Sequence, residues 1–114
     1  MKQSRVVIAV HRTSYPDPVR VRRGEMVHLG DTDPDFPGWI RVTDAAGRSG
    51  WAPESILEPA GAAEAAVTED YDASELDVSP GDRLTAYREL AGWYWVSDEA
   101  GKFGWVPVGV TQES

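Results

Sequence analysis

Apolar and polar residues alternate along most of this chain at a period of two, in short runs broken by Gly, Pro, Asp and Ser. That is the signature of half-buried strands rather than helices. Residues 5–10 predict an opening strand and residues 26–29 a short second one after an Arg23-Gly24 turn. Residues 39–43 (WIRVT) and 49–52 flank Asp44-Ala45-Ala46-Gly47, which predicts a hairpin whose type I turn closes through a left-handed Gly. Residues 53–57 predict one helical turn and a short strand. The same order then recurs, with strands expected at 66–70, 83–87, 93–97 and 103–106. No stretch carries an amphipathic 3.6-residue period of helical length. The expected fold class is all-β, in the form of two tandem five-stranded barrels.

The duplication is explicit. Residues 38–53 read GWIRVTDAAGRSGWAP and residues 92–107 read GWYWVSDEAGKFGWVP, at a constant offset of 54 and without a gap. Internal repetition of this kind indicates repeated structural units. The expected division is a first domain over 1–58, a linker over 59–66 and a second domain over 67–114. Domains of this size bury only about 60% of their unfolded surface, so each has a small core. Period two places Ile40 with Val42, and Tyr94 with Val96, on the core face. Trp39 and Trp93 are then expected to point outward, as are Arg41 and Trp95.

Charge changes the picture of partners. The net charge is −8, and residues 61–114 carry all of it, with three Lys/Arg against eleven Asp/Glu; residues 1–60 hold eight of each. Nucleic-acid binding needs basic surface that releases counterions, so no nucleic-acid partner is expected. An acidic half suits a basic partner or simple solubility. There is no Cys, hence no disulfide framework and no thiolate metal site. The apolar run near the N-terminus is too short for an export signal, and no run could span a membrane as a helix, so no membrane partner and a cytoplasmic location are expected. The Arg-, Ala- and Asp-rich composition with little Lys has a bacterial character.

Four elements in order, present twice, make the chain similar to the Src homology 3 domain family. In the second copy these are Val67-Thr68-Glu69-Asp70-Tyr71, Ser79-Pro80-Gly81-Asp82, Gly92-Trp93-Tyr94 and Gly104-Trp105-Val106-Pro107. In the first they are Ala9-Val10-His11-Arg12-Thr13, Arg23-Gly24-Glu25, Gly38-Trp39-Ile40 and Gly50-Trp51-Ala52-Pro53. The resemblance implies a module that binds proline-rich segments in the polyproline conformation on an aromatic groove. Carried over, that groove comprises Tyr71, Trp93 and Pro107 in the second copy, with Asp72 and Glu75 pairing a basic ligand residue. In the first copy only Trp39 and Pro53 match. Glu69 and Val110, and His11, Thr13 and Ile56, stand where the family has Tyr.

Other chemistries find little support. Two His and no Cys cannot assemble a nucleophilic triad. Asp31-Thr32-Asp33-Pro34-Asp35 departs from a calcium loop at its sixth and twelfth positions, where Phe36 and Val42 stand. No enzyme activity, metal or cofactor is expected. The expected function is non-catalytic binding of an extended, proline-containing and basic peptide through the second barrel. Two alternatives stay open: a structural or homo-oligomerising pair whose aromatic faces are buried between barrels, and a small-molecule or carbohydrate module using the Trp faces. The acidic loop around Asp70 and Asp72 also has the option of meeting Arg20, Arg22 and Arg23.

Overall fold

The computed structural model describes residues 2–114. Its strands in chain order are β1 (Gln3–Val7), β2 (Arg20–Val21), β3 (Met26–Thr32), β4 (Trp39–Thr43), β5 (Ser49–Pro53), β6 (Leu57–Pro59), β7 (Glu64–Val67), β8 (Tyr71–Asp72), β9 (Arg83–Leu90), β10 (Trp93–Asp98), β11 (Phe103–Pro107) and β12 (Thr111–Glu113). Single 3-10 turns at Glu54–Ile56 and Val108–Val110 precede β6 and β12, and there is no α-helix among the described residues. Among the described residues no helix is long and apolar enough to cross a membrane. The expected all-β class is what the chain adopts.

The two hairpins form where the alternation is strongest. Trp39 pairs with Pro53 and Thr43 with Ser49; Trp93 pairs with Pro107 and Ser97 with Phe103. Each turn is gathered by the Asp that opens it. Asp44 Oδ1 accepts from the backbone N–H of Ala46 (3.0 Å) and Arg48 (2.9 Å), and Asp98 Oδ1 from Ala100 and Lys102 (2.9 Å each). Gly47 and Gly101 are left-handed as expected, at φ +85° and +82°.

The strands group into two compact units, but not along the expected boundaries. One unit, the inserted unit, is Tyr15–Ser74. The other, the split unit, combines the chain up to Ser14 with Glu75–Ser114. The sheet of the inserted unit runs β5-β4-β3-β7-β6, and that of the split unit β11-β10-β9-β1-β12. The orders match position for position, yet the first strands are exchanged between the two sequence repeats. β1 lies between β9 and β12, and β7 lies between β3 and β6. Residues 59–66, expected as a linker, therefore contain the end of β6 and most of β7, which pair antiparallel around the loop at 60–63. Two Ala in Glu-Ala-Ala-Val blur the strand alternation there, although Ala65 and Val67 face the core and are fully buried.

A second expectation also changes. Each sheet is open rather than a closed barrel. β12 has three residues and spends its ladder on β1, so it does not reach β11. The free edge of β11 meets Glu75–Leu76 instead, through Leu76 N–H to the Trp105 carbonyl at 3.2 Å. In the inserted unit, Val19 N–H meets the Ser49 carbonyl of β5 in the same way, at 3.1 Å. Regrouping also moves the charge: residues 15–74 carry five Lys/Arg and twelve Asp/Glu, net −7, leaving residues 1–14 and 75–114 at −1. The split unit's core is Val7, Leu76, Val78, Leu84, Tyr94 and Val96 with their neighbours; the inserted unit's includes Val19, Val27, Val42, Ile56, Ala65 and Val67.

Candidate functional site

The residues expected to form one groove lie in different units. Trp93 and Pro107 are register partners in the split unit. Tyr71 sits on β8 of the inserted unit, paired with Val21, and its hydroxyl donates to the Trp51 carbonyl. It thus shares a unit with Trp39 and Pro53, which are register partners on β4 and β5. The side chain that meets Trp93 comes from the first sequence copy. His11 packs its ring edge-on against the Trp93 indole, with centroids 5.4 Å apart and planes at 79°. His11 Nε2 is in turn 2.9 Å from Glu75 Oε1.

Neither expected platform Trp is open. Trp93 is 6% exposed and Trp39 2% exposed, against the outward position expected for both. Period two does place them opposite the core-facing Val96 and Val42. A second layer of chain covers that face, and in the split unit it includes His11 and Glu75. The acidic residues assigned to a basic ligand are likewise engaged. Glu75 holds His11. Asp72 pairs with Arg20 at 3.3 Å and accepts from Ser74 N–H at 2.8 Å. Asp70 accepts from Arg23 N–H at 2.8 Å. The option that this loop meets the Arg20–Arg23 segment is the one the structure takes. Asp33, in the stretch with a calcium-like spacing, uses Oδ1 to gather the N–H of Asp35 and Phe36, which makes it a turn residue.

An accessible aromatic face lies on β9, β10 and β11 of the split unit. Trp95 packs on Trp105, its register partner, with centroids 5.4 Å apart. Phe103 stacks on Trp95 at 6.2 Å and an interplanar angle of 24°, and Tyr87 lies 5.8 Å beyond Phe103. Tyr87 Oη and Ser97 Oγ are hydrogen-bonded at 2.8 Å, which fixes the outer ring. Trp105 is buried, Trp95 and Tyr87 are half-buried, and Phe103 is 51% exposed. Extended strands bring these rings together because alternate residues of neighbouring strands stand on one face.

The inserted unit lacks this face. At the offset of 54, Arg41 replaces Trp95 and Ser49 replaces Phe103. His28↔Thr43 matches Thr85↔Ser97, so Gly30 takes the place of Tyr87. The Arg41 guanidinium covers Gly30 so closely that a Cβ there would lie 2.7 Å from Nε. Sequence reasoning placed Trp95 outward but did not single out Tyr87 or Phe103. The available signal was that the two copies differ most in character at these outward positions. The β9–β10 register shift at Trp95/Val96, which brings Tyr87 to the face, had none.

No cluster of three or more His, Asp or Glu is placed to hold a metal among the described residues. The family model of the variant SH3 domain matches residues 6–60, a little under half of the 114 residues. No curated protein matches the chain. The matched stretch runs from within β1 to just past β6, so it includes a first strand that the structure puts in the split unit. A domain of the SH3 type fits a protein-interaction module.

Proposed function

We propose that the chain is a non-catalytic protein-interaction module that takes an extended, proline-containing segment of a partner protein on the aromatic face of the split unit. The observation that carries this reading is the continuous series Tyr87–Phe103–Trp95–Trp105, with Phe103 half open to solvent. Flat, rigid rings in series suit a polyproline segment, whose backbone is preformed and whose pyrrolidine rings recur on one side every third residue. Apolar area removed from water contributes about 25 cal/mol per Å², so rings that bury only part of their surface against a ligand support a weak complex. The groove expected from the family pattern is not the binding surface in this reading. Trp93, Pro107, Trp39, Pro53 and Tyr71 are all buried and serve packing. Selection of a basic ligand residue by Glu75 or Asp72 is not part of it either, because His11 and Arg20 already hold those carboxylates.

The test is an NMR titration of the five Trp indole N–H signals with a proline-rich peptide. A saturable shift at Trp95, lost in Phe103→Ala, is the expected outcome. No shift at Trp95 with millimolar peptide, or a shift confined to Trp39 and Trp51, would sink the proposal.

A further inference from the structure

The exchange of β1 and β7 poses a question that backbone hydrogen bonding does not answer. In the split unit Val7 N–H donates to the Asp82 carbonyl (2.9 Å), Gly81 N–H to the Val7 carbonyl (2.9 Å) and Ile8 N–H to the Val110 carbonyl (2.7 Å). In the inserted unit Val67 donates to Glu25 (2.9 Å), Gly24 donates to Val67 (2.7 Å) and Thr68 donates to Ile56 (2.8 Å). These are the same bonds at equivalent positions. Either strand would therefore satisfy the backbone of either sheet, and the choice falls to the side chains together with the short β6–β7 loop at 60–63.

Few side chains differ where it matters. The registers align Arg5 with Ala65 and Val7 with Val67, these being the inward positions buried in both strands. Val is common to both, which leaves Arg5 against Ala65. Arg5 is only 8% exposed, and its guanidinium lies over the Tyr94 ring, 5.1 Å from the centroid. Its Nε donates to Thr111 Oγ1 at 3.1 Å, and that hydroxyl donates onward to the Val108 carbonyl at 3.0 Å. At the equivalent places the inserted unit has Ala65, fully buried, with Ile40 for Tyr94 and Leu57 for Thr111. An Arg in that site would meet two aliphatic side chains with neither a ring nor an acceptor, and a buried cation without partners is strongly disfavoured. An Ala in the Arg5 site would leave a void over Tyr94 and strip Thr111 of its donor.

We propose that Arg5, read by Tyr94 and Thr111, is the key that sends the chain's first strand into the split unit and thereby sets the strand exchange. A buried polar residue that specifies partner choice at some cost in stability has precedent in coiled-coil registers. The exchange decides which first-copy or second-copy segment stands beside Trp93. With β1 in the split unit, His11 is there; with β7 in its place, the segment carrying Tyr71 would follow.

The chain has no Cys, so disulfide trapping reports the pairing cleanly. Ser4 is the register partner of Thr85 in the exchanged pairing, and by the aligned registers would face His28 in the unexchanged one. Partners so placed are close enough to bridge. In the full chain, Ser4→Cys/Thr85→Cys is expected to close within one molecule under mild oxidation, while Ser4→Cys/His28→Cys stays reduced. Adding Arg5→Ala together with Ala65→Arg is expected to move the ratio of the two cross-links toward Ser4–His28 by about tenfold or more. Thr111→Leu, a milder change that removes the acceptor and with it the hydroxyl's own bond to the Val108 carbonyl, is expected to shift it in the same direction, with native far-ultraviolet dichroism confirming that the chain still folds. Closure of Ser4–His28 in the otherwise native chain, or cross-links formed only between molecules, would overturn the exchange. Unchanged closure of Ser4–Thr85 in folded Thr111→Leu and in the Arg5/Ala65 swap would overturn the role of Arg5.

Discussion

Single residues settle how tightly each turn and crossing is made. Burial works to raise the Asp44 carboxyl pKa, but the Arg48 backbone N–H, guanidinium and charge, together with the Ala46 N–H, outweigh it, and the pKa lies below the usual carboxylate value. A carboxyl depressed in this way contributes stability that is complete above the ordinary Asp pKa of about 3.9 and is lost as pH falls through the folded value. Asp44→Asn should therefore cost about 1–2 kcal/mol at neutral pH, with the gap to the parent closing in the acid range below both pKa values. Denaturant unfolding at both pH values checks this, and an equal gap at each would assign the loss to turn geometry. Two repeated glycines make a contrasting pair. At Gly101 a Cβ would meet open space, so Gly101→Ala should cost only backbone strain, about 1 kcal/mol. At Gly104 a Cβ would lie 2.9 Å from Leu76 N, which is backbone and cannot swing aside, so Gly104→Ala should cost more, about 1–3 kcal/mol. The reverse order in unfolding midpoints would refute this account of the crossing. Ala91, at φ +46° in the two-residue turn between Leu90 and Trp93, sits where Gly or Asn is preferred. Ala91→Asn should raise stability by about 0.5–1 kcal/mol in the same assay.

Strands show which local signals survive in the folded protein. The hairpins of β4–β5 and β10–β11 stand where the alternation and the Asp-x-Ala-Gly turns put them. β9 runs on to Leu90, past the expected end at Tyr87, because its register shift lets the strand continue beyond a mismatch in the alternation. β7 starts two residues before the strand expected at 66–70 and ends at Val67, since small Ala residues carry little pattern to fix its bounds. In the proposed function the outer face of β9–β11 serves as an attachment surface rather than a packed layer, which separates binding from stability. Phe103→Ala should change the unfolding free energy by less than about 1 kcal/mol, as expected for a half-exposed side chain, while removing the peptide-induced shift at Trp95. A loss of stability well beyond that range would mean that the ring is part of the fold instead.

For the whole molecule, the consequence of exchange is mutual dependence of the sequence halves. A chain cut in the exposed loop at residues 60–63 leaves β1 on the fragment that lacks β9–β12, and β7 on the fragment that lacks β3–β6. With a protease site inserted between Gly61 and Ala62, the nicked fragments should co-elute in native buffer and separate only in denaturant. Separation without denaturant would show that each half holds its own first strand. The same topology explains why the charge contrast of the sequence halves does not map onto the folded units, where residues 15–74 hold nearly all of the negative charge.

The amino-acid sequence by itself determined the all-β class, the repeat, both hairpins and their left-handed Gly positions. These rest on contacts a few residues apart, where period, turn chemistry and β-branching act directly. Only the tertiary structure decided which first strand enters which sheet, since both strands offer the same backbone bonds and the difference lies in Arg5 meeting Tyr94 and Thr111 some 90 to 106 positions away. It also decided that the His11 ring packs against Trp93, and that Tyr71 belongs to the unit of Trp39 and not to that of Trp93. Alternation along a strand tells which residues leave the core face, but not whether another segment of chain returns to cover them.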